Sequence, residues 1–406
     1  MKKIIYLFLA VGLCCGMWSC GDDSLLEAGS DGTEQPGTND PENPDNPDNP
    51  DDPTPEIPIP DNMETAFPDP NFRQYVLDNF DKDKDGKISQ EEALRVTSIN
   101  CPSKGIKSLD GIQYFTNLKT LSCSSNQLTS LDVSQNTALT ELRCKSNKLT
   151  SLDVSKNTKL TYLNCYSNQL TDLDVSKNTA LTRLDCQSNQ LTDLDVSKNT
   201  ALTELWCSYN QLTDLDVSKN TALTSLHCPS NQLTDLDVSK NTALTYLSCY
   251  SNQLTSLDVS KNTALTSLSC DRNRLTSLDV SQNTALTELD CYRNQLTSLI
   301  VSGCTALTEL WCNSNQLTSL DVSQNTALKI LNCVYNQLTD LDLSKNTKLT
   351  SLLCDSNRLT SLDVSQNTAL TQLNCDSNPL TTIYMKQGQV IAYLYKPSSA
   401  EIVYVK

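Results

Sequence analysis

The sequence predicts a mainly β solenoid of about 14 coils with parallel strands, preceded by a short helical cap and followed by a strand-rich cap. Three observations predict it. Thirteen cysteines, from Cys123 to Cys375, recur at a constant interval of 21 residues, and a fixed period of that size means stacked repeats. Each period holds two half-units of one pattern, Leu-x-x-Leu-x-(Cys or Val)-x-x-Asn, as in Leu139 to Asn147 and then Leu149 to Asn157. The units are filled with Thr, Ser, Asp, Asn and Val and offer no ten-residue helical face, so short extended segments are favoured over helices.

Residues 1–19 carry an address. Lys2 and Lys3 precede an apolar run from Ile4 to about Trp18, and Cys20 follows. This resembles a bacterial lipoprotein signal peptide, which implies a lipid on Cys20. Met17 and Trp18 depart from the residues usual before that cysteine, and a plain cleaved signal peptide is the alternative. The apolar run is shorter than the ~20 residues a spanning helix needs. The acidic Gly-Asp-Asp-Ser after Cys20 resembles the export tag of surface-exposed lipoproteins in Bacteroidota-like bacteria. The resemblance implies a lipid-anchored protein on the cell surface, at the bacterial outer membrane.

Residues 20–62 hold nine of the 15 prolines, set among Asp, Asn and Glu. Such a segment buries no core and is expected to be disordered. In polyproline II form, at ~3.1 Å per residue, it reaches on the order of 100 Å and serves as a stalk.

Residues 63–96 are expected to form a cap around an EF-hand-like loop. Asp81, Asp83 and Asp85 stand at positions 1, 3 and 5 of a twelve-residue loop, Gly86 at 6, Lys87 at 7, Ser89 at 9 and Glu92 at 12. A hard cation takes six to eight oxygens, and this spacing supplies carboxylates, the Lys87 carbonyl and the closing Glu92 around a turn that glycine permits. One Ca2+ with a structural role is the expected cofactor; a solvated acidic turn is the alternative. Asn71 to Phe80 is the expected entering helix, with Phe72, Tyr75, Val76 and Phe80 on one side, and Glu91 to Val96 a short exit.

Residues 97–379 are the coils, opened by a degenerate copy containing Cys101. Each coil is expected to have two extended sides joined by two Asn-bearing corners, with strands of neighbouring coils stacked ~4.8 Å apart. Leu, Leu, Cys, Leu, Leu and Val point inward, where only stacked neighbours can bury them. Ile112 to Gln387 contains one glycine, Gly303, so the corners need another device. An inward Asn, able both to donate and to accept, can satisfy the corner backbone. One unit is irregular: Cys304 replaces that Asn beside Gly303. In-register cysteines hold their Cβ atoms at strand spacing, whereas a disulfide needs them ~3.8 Å apart; the ladder therefore reads as compact, polarizable core filling. Residues 380–406 break the period and alternate apolar residues, as a C-terminal cap with Tyr384, Tyr393, Tyr395 and Tyr404 packed upon it.

The pattern L-x-x-L-x-C-x-x-N-x-L is the leucine-rich repeat signature. With its 21-residue period and cysteine at that site, the chain from about Phe67 to Pro379 resembles the internalin J family. The resemblance implies a bacterial surface adhesin with a nearly all-extended solenoid and a front cap like a cut-down EF-hand, which fits Asp81 to Glu92. Two departures stand out: the anchor is of lipid type rather than a cell-wall sorting tail, and the calcium ligands are complete.

Variation between coils concentrates on the cysteine half. Tyr162, Tyr166, Trp206, Tyr209, Tyr246, Tyr250, Tyr292, Trp311 and Tyr335 all fall in the outward columns flanking the cysteine, as do His227, Arg143, Arg183, Arg272 and Arg293. Aromatic and arginine side chains on a rigid face are what protein- and glycan-binding surfaces use; drift on a tolerant surface is the bland alternative. The other half carries a column of aspartates from Asp132 to Asp363, read as a solvated face. A net charge of −17 disfavours nucleic acid. With one histidine and no partnered nucleophile, the chain is not expected to be an enzyme. The expected partner is a protein on a host or neighbouring cell, with glycan binding or a passive spacer role as alternatives.

Overall fold

The computed structural model describes residues 57–406. The expected signal peptide, Cys20 and residues 20–56 of the stalk lie outside the described residues. Ile57 and Ile59, at the end of the segment read as stalk, are partly buried against the core.

The cysteine halves form one 15-stranded parallel sheet whose strand order follows the chain, from Ser98–Asn100 to Tyr393–Tyr395. The sequence period is the register: Leu205 stands beside Leu226 and Trp206 beside His227, each 21 residues apart. Every strand is three residues long, and its central residue is a buried leucine except at the two ends, where Ile99 and the partly buried Leu394 stand; in the regular coils a buried cysteine follows. Side chains alternate across a strand, so the residues on either side of that leucine face outward.

Two devices replace glycine at the corner after the cysteine. The residue two beyond each cysteine adopts a left-handed backbone, φ +52° to +58°, as at Ser188, Tyr209 and Arg272. The Asn that follows ties the turn down. The Asn210 amide nitrogen donates to the carbonyls of Cys186 and Cys207, each at 3.1 Å, and its Oδ1 accepts from the Leu191 N–H at 3.0 Å. Both capacities of the amide are used, as expected. At the valine corner only the donor is used: Asn220 donates to the Val196 and Asn199 carbonyls, and its buried Oδ1 has no partner.

The second half of each coil departs from the expectation of a strand in every coil. It forms paired strands only at Ser277–Asp279 with Ser298–Ile300, and at Ser361–Asp363 with Thr382–Lys386 and then Glu401–Val405. Pairing follows the residue in the aspartate column of the next coil. An Asp there accepts through Oδ1 from the serine N–H two residues on, as in Asp153 to Ser155 at 2.8 Å, although Asp279 makes the same turn at 2.8 Å within a paired strand. The inter-coil bonds from Val280 N–H to the Ile300 carbonyl (3.0 Å) and from Val364 N–H to the Tyr384 carbonyl (2.9 Å) appear where the accepting residue is not Asp.

The irregular coil follows the same logic. Cys304 is buried, and its thiol donates to the Val280 carbonyl at 3.0 Å, where an Asn side chain serves in neighbouring coils. The shorter side chain brings the backbone inward: a Cβ built at Gly303 would fall 1.7 Å from the Ser281 carbonyl oxygen. Cysteine and glycine therefore belong together in this coil.

The front cap comprises α1 (Met63–Ala66), α2 (Pro70–Phe80) and α3 (Gln90–Leu94). Asp69 caps α2 by accepting from the N–H groups of Asn71 and Phe72, and its second oxygen accepts from Lys107 N–H of the first coil at 2.8 Å. Phe67 and Phe72 meet edge to face, Phe115 lies beside Phe67, and all three are fully buried. Gly111, at φ +106°, lets Phe67 in; a Cβ there would lie 2.3 Å from its ring. The segment after residue 380 is strand-rich, as expected, but its strands continue the winding rather than fold across it. Tyr384 is half-buried, while Tyr393, Tyr395 and Tyr404, expected to pack, are exposed. No helix among the described residues is long and apolar enough to cross a membrane.

Candidate recognition face and acidic loop

All twelve residues named from the sequence for the recognition face are at least partly exposed: Tyr162, Tyr166, Trp206, Tyr209, His227, Tyr246, Tyr250, Arg272, Tyr292, Arg293, Trp311 and Tyr335. The ladder cysteines beside them are buried and unbridged. Burial pushes the Cys144 thiol up to about 12, so it stays a protonated, inert core group at neutral pH. Several thiols also point at the carbonyl of the next strand, as Cys207 does at the His227 oxygen, 3.5 Å away.

The structure joins part of this set into one row. The Arg143 guanidinium lies 5.3 Å from the Tyr162 ring centre, Arg183 lies 5.0 Å from the same ring and 4.5 Å from Trp206, Trp206 meets His227 edge-on at 5.3 Å, and His227 stacks on Tyr246 at 4.4 Å. Six consecutive coils thus carry a continuous succession of guanidinium and aromatic planes. Cation–π and ring–ring contacts hold long side chains in place before a ligand arrives. Polar contacts brace the row: Arg183 Nε lies 3.2 Å from a Glu204 oxygen, Arg143 pairs with Glu141, and Asn164 donates to Asp185 at 3.0 Å. Beside the row, the Tyr209 and Tyr250 hydroxyls meet at 3.3 Å. Burial drives His227 down to about 4, so it is a neutral ring at physiological pH.

Tyr209, Arg272, Arg293 and Tyr335 occupy the left-handed position that serine fills in most coils. That backbone is unfavourable for bulky side chains. Tyr209 and Tyr335 nevertheless remain 53% and 56% exposed, so burial gives little in return.

A second cluster was not singled out from the sequence. Asp271, Glu288, Asp290 and Glu309 gather near Tyr292 and Trp311 on coils further along. Asp290 is raised to about 7 by burial first, then by the charges of Asp271, Glu288 and Glu309. Its signal was available: Asp290 lies in the same outward column as Trp206 and Trp311. The aromatic- and arginine-bearing face thus gains a cluster of carboxylates between Asp271 and Glu309, where Arg272, Tyr292 and Arg293 also lie.

In the front cap the carboxylates of Asp81, Asp83 and Asp85 come within 4.8 Å of one another. Asp81 accepts from the N–H groups of Lys84 and Gly86, Asp85 accepts from Lys87 N–H, and Gly86 has φ +82°. Glu92 lies outside that trio. Its Oε1 accepts from Lys82 N–H at 2.6 Å, and its Oε2 from Ser89 N–H and Oγ at 2.9 and 2.8 Å. Burial raises the Glu92 carboxyl, but these hydrogen bonds outweigh it and hold the group below its ordinary value. Ser89 and Glu92 together form a capping box for α3. The loop is closed by Glu92, and its clustered donors are all oxygens, the type a hard divalent cation takes.

A family model for leucine-rich repeats (two copies) matches residues 179–220. Internalin J of Listeria monocytogenes serotype 4b is 45% identical over 71 residues, which is 18% of this chain and 8% of that protein; the match thus spans under a tenth of the curated relative's length. Among solved structures, the functional domain of InlJ from Listeria monocytogenes, which includes a cysteine ladder, is 42% identical with a TM-score of 0.68, covering 80% of this chain and 76% of that one. An internalin (inlF) of the same species is 25% identical with a TM-score of 0.64, covering 85% of this chain and 97% of that one. A leucine-rich repeat protein of Leptospira interrogans is 26% identical with a TM-score of 0.67, over 77% and 86%. A match at 42% identity along three quarters of an internalin domain that includes a cysteine ladder shows that the chain belongs to the internalin family of leucine-rich repeat proteins.

Proposed function

We propose that the chain is a surface-anchored bacterial adhesin that recognises a protein on a host or neighbouring cell through its cysteine-strand face. The row from Arg143 to Tyr246 carries this reading, because it is a rigid, partly exposed series of the side chains that dominate binding hot spots. The left-handed Tyr209 and Tyr335 add to it: strained aromatics without burial are expected where contact is selected. Anchoring is by a lipid on Cys20 at the outer membrane, with the Pro-rich stalk lifting the coils off the surface. The loop Asp81 to Glu92 binds one Ca2+ that stiffens the front cap. Its ligands are Asp81, Asp83, Asp85, the Lys87 carbonyl and Glu92, with Ser89 at position 9.

Glycan binding is the second reading, favoured by the partly exposed rings of Trp206 and Trp311, which could stack on sugars. One experiment separates the readings. The wild-type chain and a Trp206→Ala, Trp311→Ala double variant are compared in binding to protease-treated and untreated host cells and on a glycan array. Protease-sensitive cell binding that the double variant loses, with no array signal, supports the protein partner. An array signal lost in the double variant supports the glycan. Binding unchanged in both assays leaves the coils as a passive spacer.

A further inference from the structure

The loop read as the calcium site has a second side. Residues 57–61, the end of the segment read as stalk, lie along it as a strap. Pro58 to Asp61 form one wall of a cleft of about 620 Å³, and the other wall holds Asp85, Lys87, Ile88 and Ser89. Three of those four are positions 5, 7 and 9 of the twelve-residue loop. Ile57 and Ile59 of the strap are partly buried against the core, and Ile88, between the ligand positions, is 4% exposed within it. Downstream the strap is tied to the fold, because Asn62 caps α1 by accepting from Glu64 N–H at 2.8 Å and Phe67 is fully buried. Its upstream part is held lightly. Lys87 Nζ lies 3.8 Å from Asp61, and both side chains are exposed, so the pair contributes little. The two isoleucines are the main hold.

We infer that strap and loop act as one unit: the strap seats firmly when the loop holds a divalent cation, and Ile59 is a positioning residue for that cation although it offers no ligand atom. This rests on the calcium reading of the loop. The physical reason is the charge that the loop carries. The carboxylates of Asp81, Asp83 and Asp85 lie within 4.8 Å of one another and repel unless a cation neutralises them, so residues 85–89 are held more firmly with the cation in place. Those residues are also the strap's floor. Asp61 brings a further carboxylate to the same cleft, and its charge is better tolerated once the loop is neutralised. Two events that favour one arrangement of shared residues are coupled, and the coupling is reciprocal. Cation binding seats the strap, and a seated strap tightens the cation. The joint between stalk and cap is thereby firmer in calcium than in its absence.

Calorimetric titration of the purified full chain with Ca2+ reads one direction of the coupling. Ile59→Ser is expected to weaken Ca2+ binding by about fivefold, and Ile59→Val to hold it within about twofold of wild type. Ile402→Ser, at a partly buried isoleucine far from the loop in sequence and on the last coil, leaves the affinity unchanged. A glutamate-specific serine protease, which needs no metal, reads the other direction on the wild-type chain. It cuts the Glu56–Ile57 bond where the strap has lifted into reach, and at low protease the rate follows the lifted fraction. Ca2+ is expected to slow that cut by about fivefold relative to chelator. Equal Ca2+ affinity in wild type and Ile59→Ser, or a cut indifferent to Ca2+, overturns the coupling and leaves the calcium reading standing. Absence of Ca2+ binding to the wild-type chain overturns both. If Ile59→Ser fails to fold, the protease comparison on the wild-type chain alone still decides.

Discussion

His227 lies flat against Tyr246, with ring centroids 4.4 Å apart and 18° between the planes. The contact belongs to a row in which each coil contributes one plane, and it is made possible by the 21-residue register that sets Ser225 beside Tyr246 and His227 beside Trp206. It also leaves the imidazole short of water, which is why His227 is pushed down to about 4. Between that value and its ordinary 6.5, the unfolded chain binds a proton that the folded chain does not. His227 therefore subtracts stability as pH falls from about 6.5 towards about 4. Replacing it with Phe keeps the stack and removes the titration. Melting curves are expected to show the variant gaining on wild type as pH drops through this window, and a constant difference would refute the buried neutral ring.

Asp290 titrates with the opposite sense. Its carboxyl is raised from 3.8 to about 7 by burial and by Asp271, Glu288 and Glu309. Ionising it costs the folded state, so stability is lost as pH rises from about 4 to about 7. Asp290→Asn is expected to stabilise the protein by about 1–2 kcal/mol near pH 8, after allowance for its partial exposure, and by almost nothing near pH 4. Calorimetry at the two pH values checks this.

Gly303 and Cys304 form a matched pair. Gly303→Ala places a methyl on the Ser281 carbonyl and is expected to cost about 2 kcal/mol or more, since backbone must move. The equivalent lysine position in the preceding regular coils, such as Lys261, is exposed, and Lys261→Ala is expected to change stability by less than about 0.5 kcal/mol. Denaturant titration of both variants distinguishes a local requirement at Gly303 from general fragility of the corners.

The loop Asp81 to Glu92 gives a metal prediction. If Ca2+ fills it, chelation lowers the melting temperature, and Asp83→Asn, which keeps an acceptor for Asp85 N–H, removes the difference. A melting temperature unmoved by calcium and chelator alike would leave the loop as a hydrogen-bonded turn closed by Glu92.

Most of the architecture was legible because the repeat is written in spacing. The line Cys123 to Cys375 determines which residues are inside, and Leu, Cys and Asn at fixed offsets then dictate the winding. The unpaired second side was less legible. An Asp looks like any polar residue in a strand pattern, yet the ladder bond forms where Ile300 or Tyr384 is the accepting residue and not where an Asp is. Individual members of the recognition face could be named from their columns, yet their union into one row could not. It depends on side chains reaching diagonally between coils, as Arg183 does from Tyr162 to Trp206. The acidic cluster around Asp290 is not legible in the columns, because a carboxylate there reads as solvated until the coils bury it beside Asp271, Glu288 and Glu309.

The central claim is that thiols face inward while their neighbours on the same strand face outward. It can be measured in one native sample in which Trp18→Phe leaves Trp206 and Trp311 as the fluorophores. Acrylamide is expected to quench both tryptophans while the ladder thiols stay silent to a thiol reagent until the chain is unfolded. Thiols that react in the folded protein, or tryptophans shielded from the quencher, would contradict the account.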